Sequence, residues 1–300
     1  MQYGNHALPA NRKEDMKLLK NAAIVSPMLV LFVLLPSAAY AATSPSLGMA
    51  STFGILSSTY TNTAGGTTIN GDLGYTTPPA VAPTVNGTTH VADGTYNQAG
   101  IDQGTALSAL NSQPCTFTFA PGAINLASDT THGAVGVYTP GVYCITGAAS
   151  VGGGGTITLT GSGTYIFRMT GALDTTTNSV VAGNGVSVCD VWWTPGAETT
   201  LGANSTFLGT DIDASGITVG GVIGWTGRAL AFGGTVSTSS DTITAPTCAA
   251  TPTPSATPVP TRPGLPHSGL GSPGNGVPWW SIPVLALGAL SILYVIRRKA

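Results

Sequence analysis

Between residues 115 and 248 the chain is a succession of strand-forming runs only a few residues long, each closed by Gly, Asn or Ser. Tyr143-Cys144-Ile145, Thr156-Ile157-Thr158-Leu159-Thr160, Thr164-Tyr165-Ile166-Phe167 and Val186-Ser187-Val188 are such runs. Thr206-Phe207-Leu208, Ile217-Thr218-Val219 and Arg228-Ala229-Leu230-Ala231-Phe232 continue the series. Short strands with a corner after each one suit the sides of a stacked β-solenoid. An alternating sandwich is the rival. It needs longer strands joined by hairpin turns of the Asn-Gly type, and Asn86-Gly87 lies instead in a Pro-rich segment. The stretch 45–74 also reads as short strands between Gly turns, with Phe53-Gly54-Ile55-Leu56 and Ile69-Asn70-Gly71-Asp72-Leu73-Gly74 as its apolar parts. Pro78, Pro79 and Pro83 mark 75–94 as a loop or small cap.

One segment breaks the pattern. Tyr96, Ala99, Gln103, Ala106, Leu107 and Leu110 recur at helical spacing, which predicts a helix over 95–113 that Pro114 helps to end. Gly100 and Gly104 weaken it but let it lie close against another surface.

Both ends carry targeting signals. Lys17 and Lys20 precede an apolar stretch from Ala22 to Leu35, and Ala39-Tyr40-Ala41 fits a signal-peptidase site, so 1–41 reads as an extension plus secretory signal. Met16 is a candidate initiator, and an uncleaved anchor helix is the alternative. Residues 249–278, rich in Pro, Thr, Ser and Gly, form a stiff extended stalk. Trp279 to Ile296 is an apolar run about as long as a short membrane span, and Arg297-Arg298-Lys299 follows it, so 279–300 reads as an anchor with its basic end inside. Within the stalk, Leu265-Pro266-His267-Ser268-Gly269 resembles a sortase sorting signal, with Ser268 where Thr is usual. Cleavage between Ser268 and Gly269 with attachment to the wall, or a plain membrane anchor, both remain open. Both ends therefore agree that residues 42–278 face outward, at the cell surface.

Charge excludes one class of partner. Between residues 43 and 250 there is no Lys, Arg168 and Arg228 are the only Arg, and acidic residues outnumber them. Nucleic-acid binding needs clustered cations, so it is set aside. Cys115, Cys144, Cys189 and Cys248 all lie in the exported part, where thiols oxidise; four cysteines allow three pairings. A metal site is the weaker reading, since no Cys-x-x-Cys pair exists and His is sparse. Catalysis also finds little support. Arg168 and Arg228 sit in strand patterns and read as structural. Asp211 and Asp213 share one strand face and read as a surface pair sooner than a Ca²⁺ site, which needs more oxygen ligands. His90 and His132 stand apart from any nucleophile motif. The expectation is no enzyme, no metal and no cofactor.

The order of parts resembles the microbial ice-binding proteins that have a discontinuous β-solenoid and one helix packed along its side. Leu47-Gly48 through Leu56, the 69–74 run, Pro140-Gly141-Val142-Tyr143, and Leu159-Thr160-Gly161 followed by Tyr165-Ile166-Phe167 carry the likeness. Val191-Trp192-Trp193, Thr200-Leu201-Gly202 and Gly227 to Ala231 complete it, over nearly all of 45–247. The resemblance implies an all-β, right-handed, three-sided solenoid whose first strands join coils formed by the C-terminal half. It also implies disulfides Cys115–Cys144 and Cys189–Cys248.

Its functional implication is a face that binds ice. Such a face must be flat and rigid; Thr supplies a hydroxyl and a methyl with a stiff χ1, and charge would hold its own hydration. The family pattern selects Thr176, Thr200, Thr218, Ser237 and Ser239 on successive coils, with Asn204 at the edge. The alternative function is a non-catalytic surface adhesin or wall-structural module, which the same stalk and anchor would serve.

Overall fold

The computed structural model describes residues 41–221 and 224–248. The signal up to residue 40, the stalk, the sorting-like motif at 265–269 and the apolar segment from 279 lie outside them. Among the described residues no helix is long and apolar enough to cross a membrane.

The described residues form a β-solenoid of twenty short strands in which every named pair is parallel. Each coil has three sides. Side A stacks Ile124–Asn125, Ala149–Val151, Leu173–Thr175, Thr199–Leu201 and Ile217–Val219, then residues 235–238 and 59–62. Side B stacks Val137–Tyr138, Thr156–Thr160, Val180–Asn184, residues 206–208 and 224–226, then Thr242–Thr244, Thr68–Asn70 and Thr84–Val85. Side C stacks Phe117–Thr118, Gly141–Ile145, Tyr165–Met169, Val191–Thr194, residues 210–212, 228–231 and 53–57, then Asp72–Tyr75 and Thr89–Val91. The N-terminal strands thus stack beyond the C-terminal ones, which is the discontinuity that the family resemblance implies. The Pro-rich segment 75–94 is more than a loop: Thr84–Val85 and Thr89–Val91 add a further coil to sides B and C.

This order leaves the chain at one end of the stack when its next coil must begin at the other. The helix is the return leg. It runs Gly94–Asn111, 18 residues and about 27 Å long, along a side C whose strands span about 38 Å in total. Asp93 caps it by accepting from Tyr96 N at 2.8 Å. Tyr96, Ala99, Gly100, Gln103, Ala106 and Leu110 are buried against Phe53, Leu56, Val142, Ile166, Trp192, Ile212 and Leu230. The two helical glycines differ. A Cβ on Gly100 would sit 2.4 Å from the Phe232 ring, whereas one on Gly104 would meet nothing, so only Gly100 serves close approach.

The interior is filled by side chains stacked from coil to coil. Tyr143, Phe167 and Trp193 occupy one column, with ring centroids 5.1 and 4.3 Å apart and planes within 12°. Phe207 and Trp225 from side B extend it at 5.2 Å steps. Both indole N–H groups are satisfied, Trp193 by Leu208 O and Trp225 by Gly209 O. The second bond needs Gly227: at φ +153° its missing Cβ would lie 1.8 Å from Gly209 O. Both disulfides implied by the family resemblance form, Cys115–Cys144 and Cys189–Cys248.

Candidate functional site

Sides A and B are both outward-facing ladders, but their strands are in opposite phase. On side A a three-residue strand reads buried, outward, buried, as in Ala149–Val151, Thr199–Leu201 and Ile217–Val219. It therefore presents one column: Asn125, Ser150, Asp174, Thr200, Thr218, Ser237, Thr61. On side B the middle residue is the buried one, as in Thr68–Asn70, Thr242–Thr244 and Thr156–Thr160. Each coil then presents at least two positions on the outward phase, with Thr160 and Asn184 adding a third in the strands Thr156–Thr160 and Val180–Asn184. The first column is Thr156, Val180, Thr206, Gly224, Thr242, Thr68, Thr84. The second is Val137, Thr158, Ala182, Leu208, Thr226, Thr244, Asn70. Columns lie about 6.6 Å apart and their members about 4.8 Å apart along the stack, a two-dimensional array.

The two sides also differ in charge and in what their hydroxyls do. No charged residue stands in either column of side B. The hydroxyls of Thr156, Thr158, Thr206, Thr226 and Thr242 have no partner among the described residues. At one end Asn86 Nδ2 donates to Asn70 Oδ1 at 2.8 Å, and Asn70 Nδ2 to Thr244 Oγ1 at 2.9 Å. Side A carries exposed Asp174 inside its column and exposed Glu198 beside it. Thr218 Oγ1 donates to Glu198 Oε1 at 2.8 Å, and Thr61 Oγ1 to Ser237 Oγ at 2.6 Å.

The residues singled out in the sequence do not form one row. Thr200, Thr218 and Ser237 stack in register on side A. Thr176 lies past the end of its strand, where the column position belongs to Asp174. Its Oγ1 accepts from Gly154 N at 2.8 Å and pairs with Ser179 Oγ at 3.1 Å, holding the corner between A and B. Ser239 also lies beyond its strand, with its N–H on Asp241 Oδ2. Asn204 is a corner residue at φ +56°, matched by Asn178 at +64° and Ser240 at +60°. That left-handed conformation is what Asn tolerates and most residues do not.

After these corners comes a buried small polar residue, Ser179, Ser205 or Asp241, and the hydroxyls of Ser179 and Ser205 donate to Val151 O and Thr176 O of the coil below. The strand of side B then starts. Gly-Gly-Thr-Ile-Thr at 154–158, Asn-Ser-Thr-Phe-Leu at 204–208, Ser-Asp-Thr-Ile-Thr at 240–244 and Gly-Thr-Thr-Ile-Asn at 66–70 are copies of that unit. This repeat is the sequence signal that points to side B.

The charged groups sit elsewhere, mostly buried. Asp211 and Asp213, read from sequence as a surface pair, are 0% and 1% exposed. Asp211 follows Trp193 in the inward column of side C, and neither of its oxygens has a protein partner. Burial, and then the charge of Asp213, hold its pKa well above the ordinary carboxylate value. Asp213 is also raised by burial, though Ser215 N and Thr199 Oγ1 bond it. Arg228 is buried on side C and donates to Ser51 O, Pro246 O and Thr210 Oγ1; burial lowers its pKa to about 10. Arg168 donates to Asn111 O and Gln113 O at the end of the helix. His90 bonds the helix cap Asp93 at 2.8 Å, and His132 bonds Asp129 at 2.6 Å with its ring stacked on Tyr138. Each has a structural partner.

Known proteins share this architecture. A family model described as ice-binding-like matches residues 55–244. An ice-binding protein of Nostoc sp. (strain HG1) is 31% identical over 239 residues, covering 76% of this chain and 84% of that protein. The crystal structure of an ice-binding protein from the Antarctic ascomycete Antarctomyces psychrotrophicus gives a TM-score of 0.58 at 28% identity, over 69% of this chain and all of that one (100%). That of an ice-binding protein from an Antarctic biological consortium gives 0.60 at 27%, over 70% of this chain and 95% of that one. The chain belongs to the ice-binding-like family.

Proposed function

We propose that this protein binds ice through side B. The observation that carries the reading is the pair of parallel, charge-free, Thr-rich columns on that side. Thr hydroxyls with no protein partner are free to bond ordered water, and adjacent methyl groups and the Val180, Ala182 and Leu208 side chains order the water between them. Rigid backbone ladders and stiff χ1 torsions mean that little entropy is lost when water freezes onto the array. Side A fits this role less well, with one column and two carboxylates. We further propose that the domain is exported and held at the cell surface by the segment that follows residue 248. A stalk and anchor of that composition keep an ice face outside the cell.

Recrystallisation of polycrystalline ice in the presence of the purified protein tests the reading. The unmodified protein is expected to keep grains small. Thr206→Glu and Thr226→Glu should each raise the concentration needed by about tenfold, equivalent to about 1.4 kcal/mol of binding. Thr200→Glu and Thr218→Glu should not. The reverse pattern would move the site to side A, and an unmodified protein without effect on ice would leave the adhesin or wall-structural role.

A further inference from the structure

Arg168 and Arg228 are the only Arg between residues 43 and 250, a stretch without Lys, and each guanidinium touches a disulfide. Arg168 Nη2 lies 3.0 Å from Cys115 Sγ and 2.9 Å from Cys144 Sγ. Arg228 Nη2 approaches Cys248 Sγ at the longer distance of 3.6 Å. The two bridges also differ in access. Cys115 is exposed and Cys144 is buried at 8%, whereas Cys189 and Cys248 are both half-buried. We infer that Cys115–Cys144 is a thiol-exchange site, open at Cys115 to a low-molecular-weight thiol, with Arg168 stabilising the sulfur that leaves.

The chemistry is balanced by the thiol itself. An external thiolate attacks Cys115 Sγ along the exposed side. A bond forms between the incoming sulfur and Cys115, the Cys115–Cys144 bond breaks, and the electron pair stays on Cys144 Sγ as a thiolate. Exchange is faster the more stable the leaving thiolate is, and an adjacent guanidinium stabilises it. A second thiol then attacks the added sulfur, leaving as the oxidised small-molecule disulfide and giving the protein its two thiols. Arg168 is already held in place, because its Nη1 donates to Asn111 O and Gln113 O. Those carbonyls lie at the end of the helix, so the same side chain joins the helix end and the bridge to its own strand, Tyr165–Met169. Opening the bridge releases the covalent tie between the segment that follows the return leg and the strand Gly141–Ile145 of the next coil, on side C, without touching side B.

Exposing the folded full-length chain to excess reduced glutathione, then quenching and mapping peptides by mass spectrometry, tests this. The expected result is glutathione on Cys115 and a free thiol on Cys144, with this bridge opening about tenfold faster than Cys189–Cys248. Arg168→Gln should slow opening of the first bridge by about tenfold and leave the second unchanged, and Arg168→Lys should restore most of the rate. In Cys115→Ser protein, absorbance at 240 nm should show Cys144 ionising below the ordinary value of about 8.5. That measurement decides the matter if Arg168→Gln disturbs the helix end. The inference fails if glutathione lands on Cys144, if Arg168→Gln leaves the rate unchanged while folded, or if Cys144 ionises at or above the ordinary value.

Discussion

Sides A and B are built from the same backbone, in the same coils, with nearly the same residue types, yet one presents a line and the other a lattice. The difference is a single step in phase. A three-residue strand that begins inward shows one residue to solvent; a strand that begins outward shows two. The step is set at the corner. Asn178, Asn204 and Ser240 turn the chain at positive φ, and the next residue drops into the interior as a buried Ser or Asp. The residue after that must then point out, and the strand of side B starts from it. Where a surface must match a crystal in two directions, the phase of the strand decides more than its Thr content does.

The sharpest way to break this comparison is to put a charge at the middle of a strand on each side. Ile243, the middle residue of Thr242–Thr244, is fully buried, whereas Thr218, the middle of Ile217–Val219, is partly exposed. Ile243→Glu should abolish cooperative unfolding, since an unpaired buried charge costs several kcal/mol or more. Thr218→Glu should change stability by no more than about 0.5 kcal/mol. Circular dichroism melts of the two variants read the contrast directly. A folded Ile243→Glu protein, or an unfolded Thr218→Glu protein, means that the phases have been assigned to the wrong sides.

Carboxylates extend the same contrast from position to pH. Asp174 is outward and exposed, while Asp211 is inward, fully buried and without a partner. Burial raises the folded pKa of Asp211 well above the ordinary carboxylate value of about 3.9, and that of Asp213 is raised too. The folded state therefore holds protons that the unfolded state releases. Their stabilisation is complete below about pH 4 and is lost as pH rises towards the folded values, at up to about 1.4 kcal/mol per pH unit for each proton. Urea midpoints should fall with pH across that window, and Asp211→Asn should flatten the fall. A midpoint in the unmodified protein that rises between pH 4 and 7 would contradict this burial.

Much of the architecture was legible because it rests on local rules. Short runs between Gly, Asn and Ser gave coils; the spacing of Tyr96, Ala99, Gln103, Ala106 and Leu110 gave the helix. The strands at Thr84–Val85 and Thr89–Val91 were hidden because each is only two or three residues long and pairs with residues brought near by the fold. Asp211 was misread because alternation alone does not say which face of a side C strand is the inner one. Opposite it in the column is Ala229, so a carboxylate occupies room that aromatic rings fill in earlier coils. The face proposed to bind ice differs from the residues singled out in the sequence, for a related reason. An apolar-Thr-apolar triplet such as Ile217-Thr218-Val219 looks like a well-anchored Thr, and it is one. The triplet that builds an array is its inverse, Thr-apolar-Thr, and its meaning emerges only when copies at 156–158 and 242–244 are stacked.

The smallest effect asks whether phase or charge is what sets side A apart. Asp174→Thr with Glu198→Gln would remove both carboxylates and leave an uncharged hydroxyl column from Ser150 to Ser237. Both positions are exposed, so stability should shift by no more than about 0.5 kcal/mol. If charge alone disqualified side A, the cleaned column would now bind ice. If the lattice is what matters, it would not, because the neighbouring residues along each strand still point inward and no second column exists about 6.6 Å away. The decisive background is Thr226→Glu, in which side B is disabled. Adding the two side A changes to that variant is expected to restore no inhibition of recrystallisation. Recovery to the level of the unmodified protein would show that one column of hydroxyls suffices, and that the carboxylates of side A were the feature that kept ice from it.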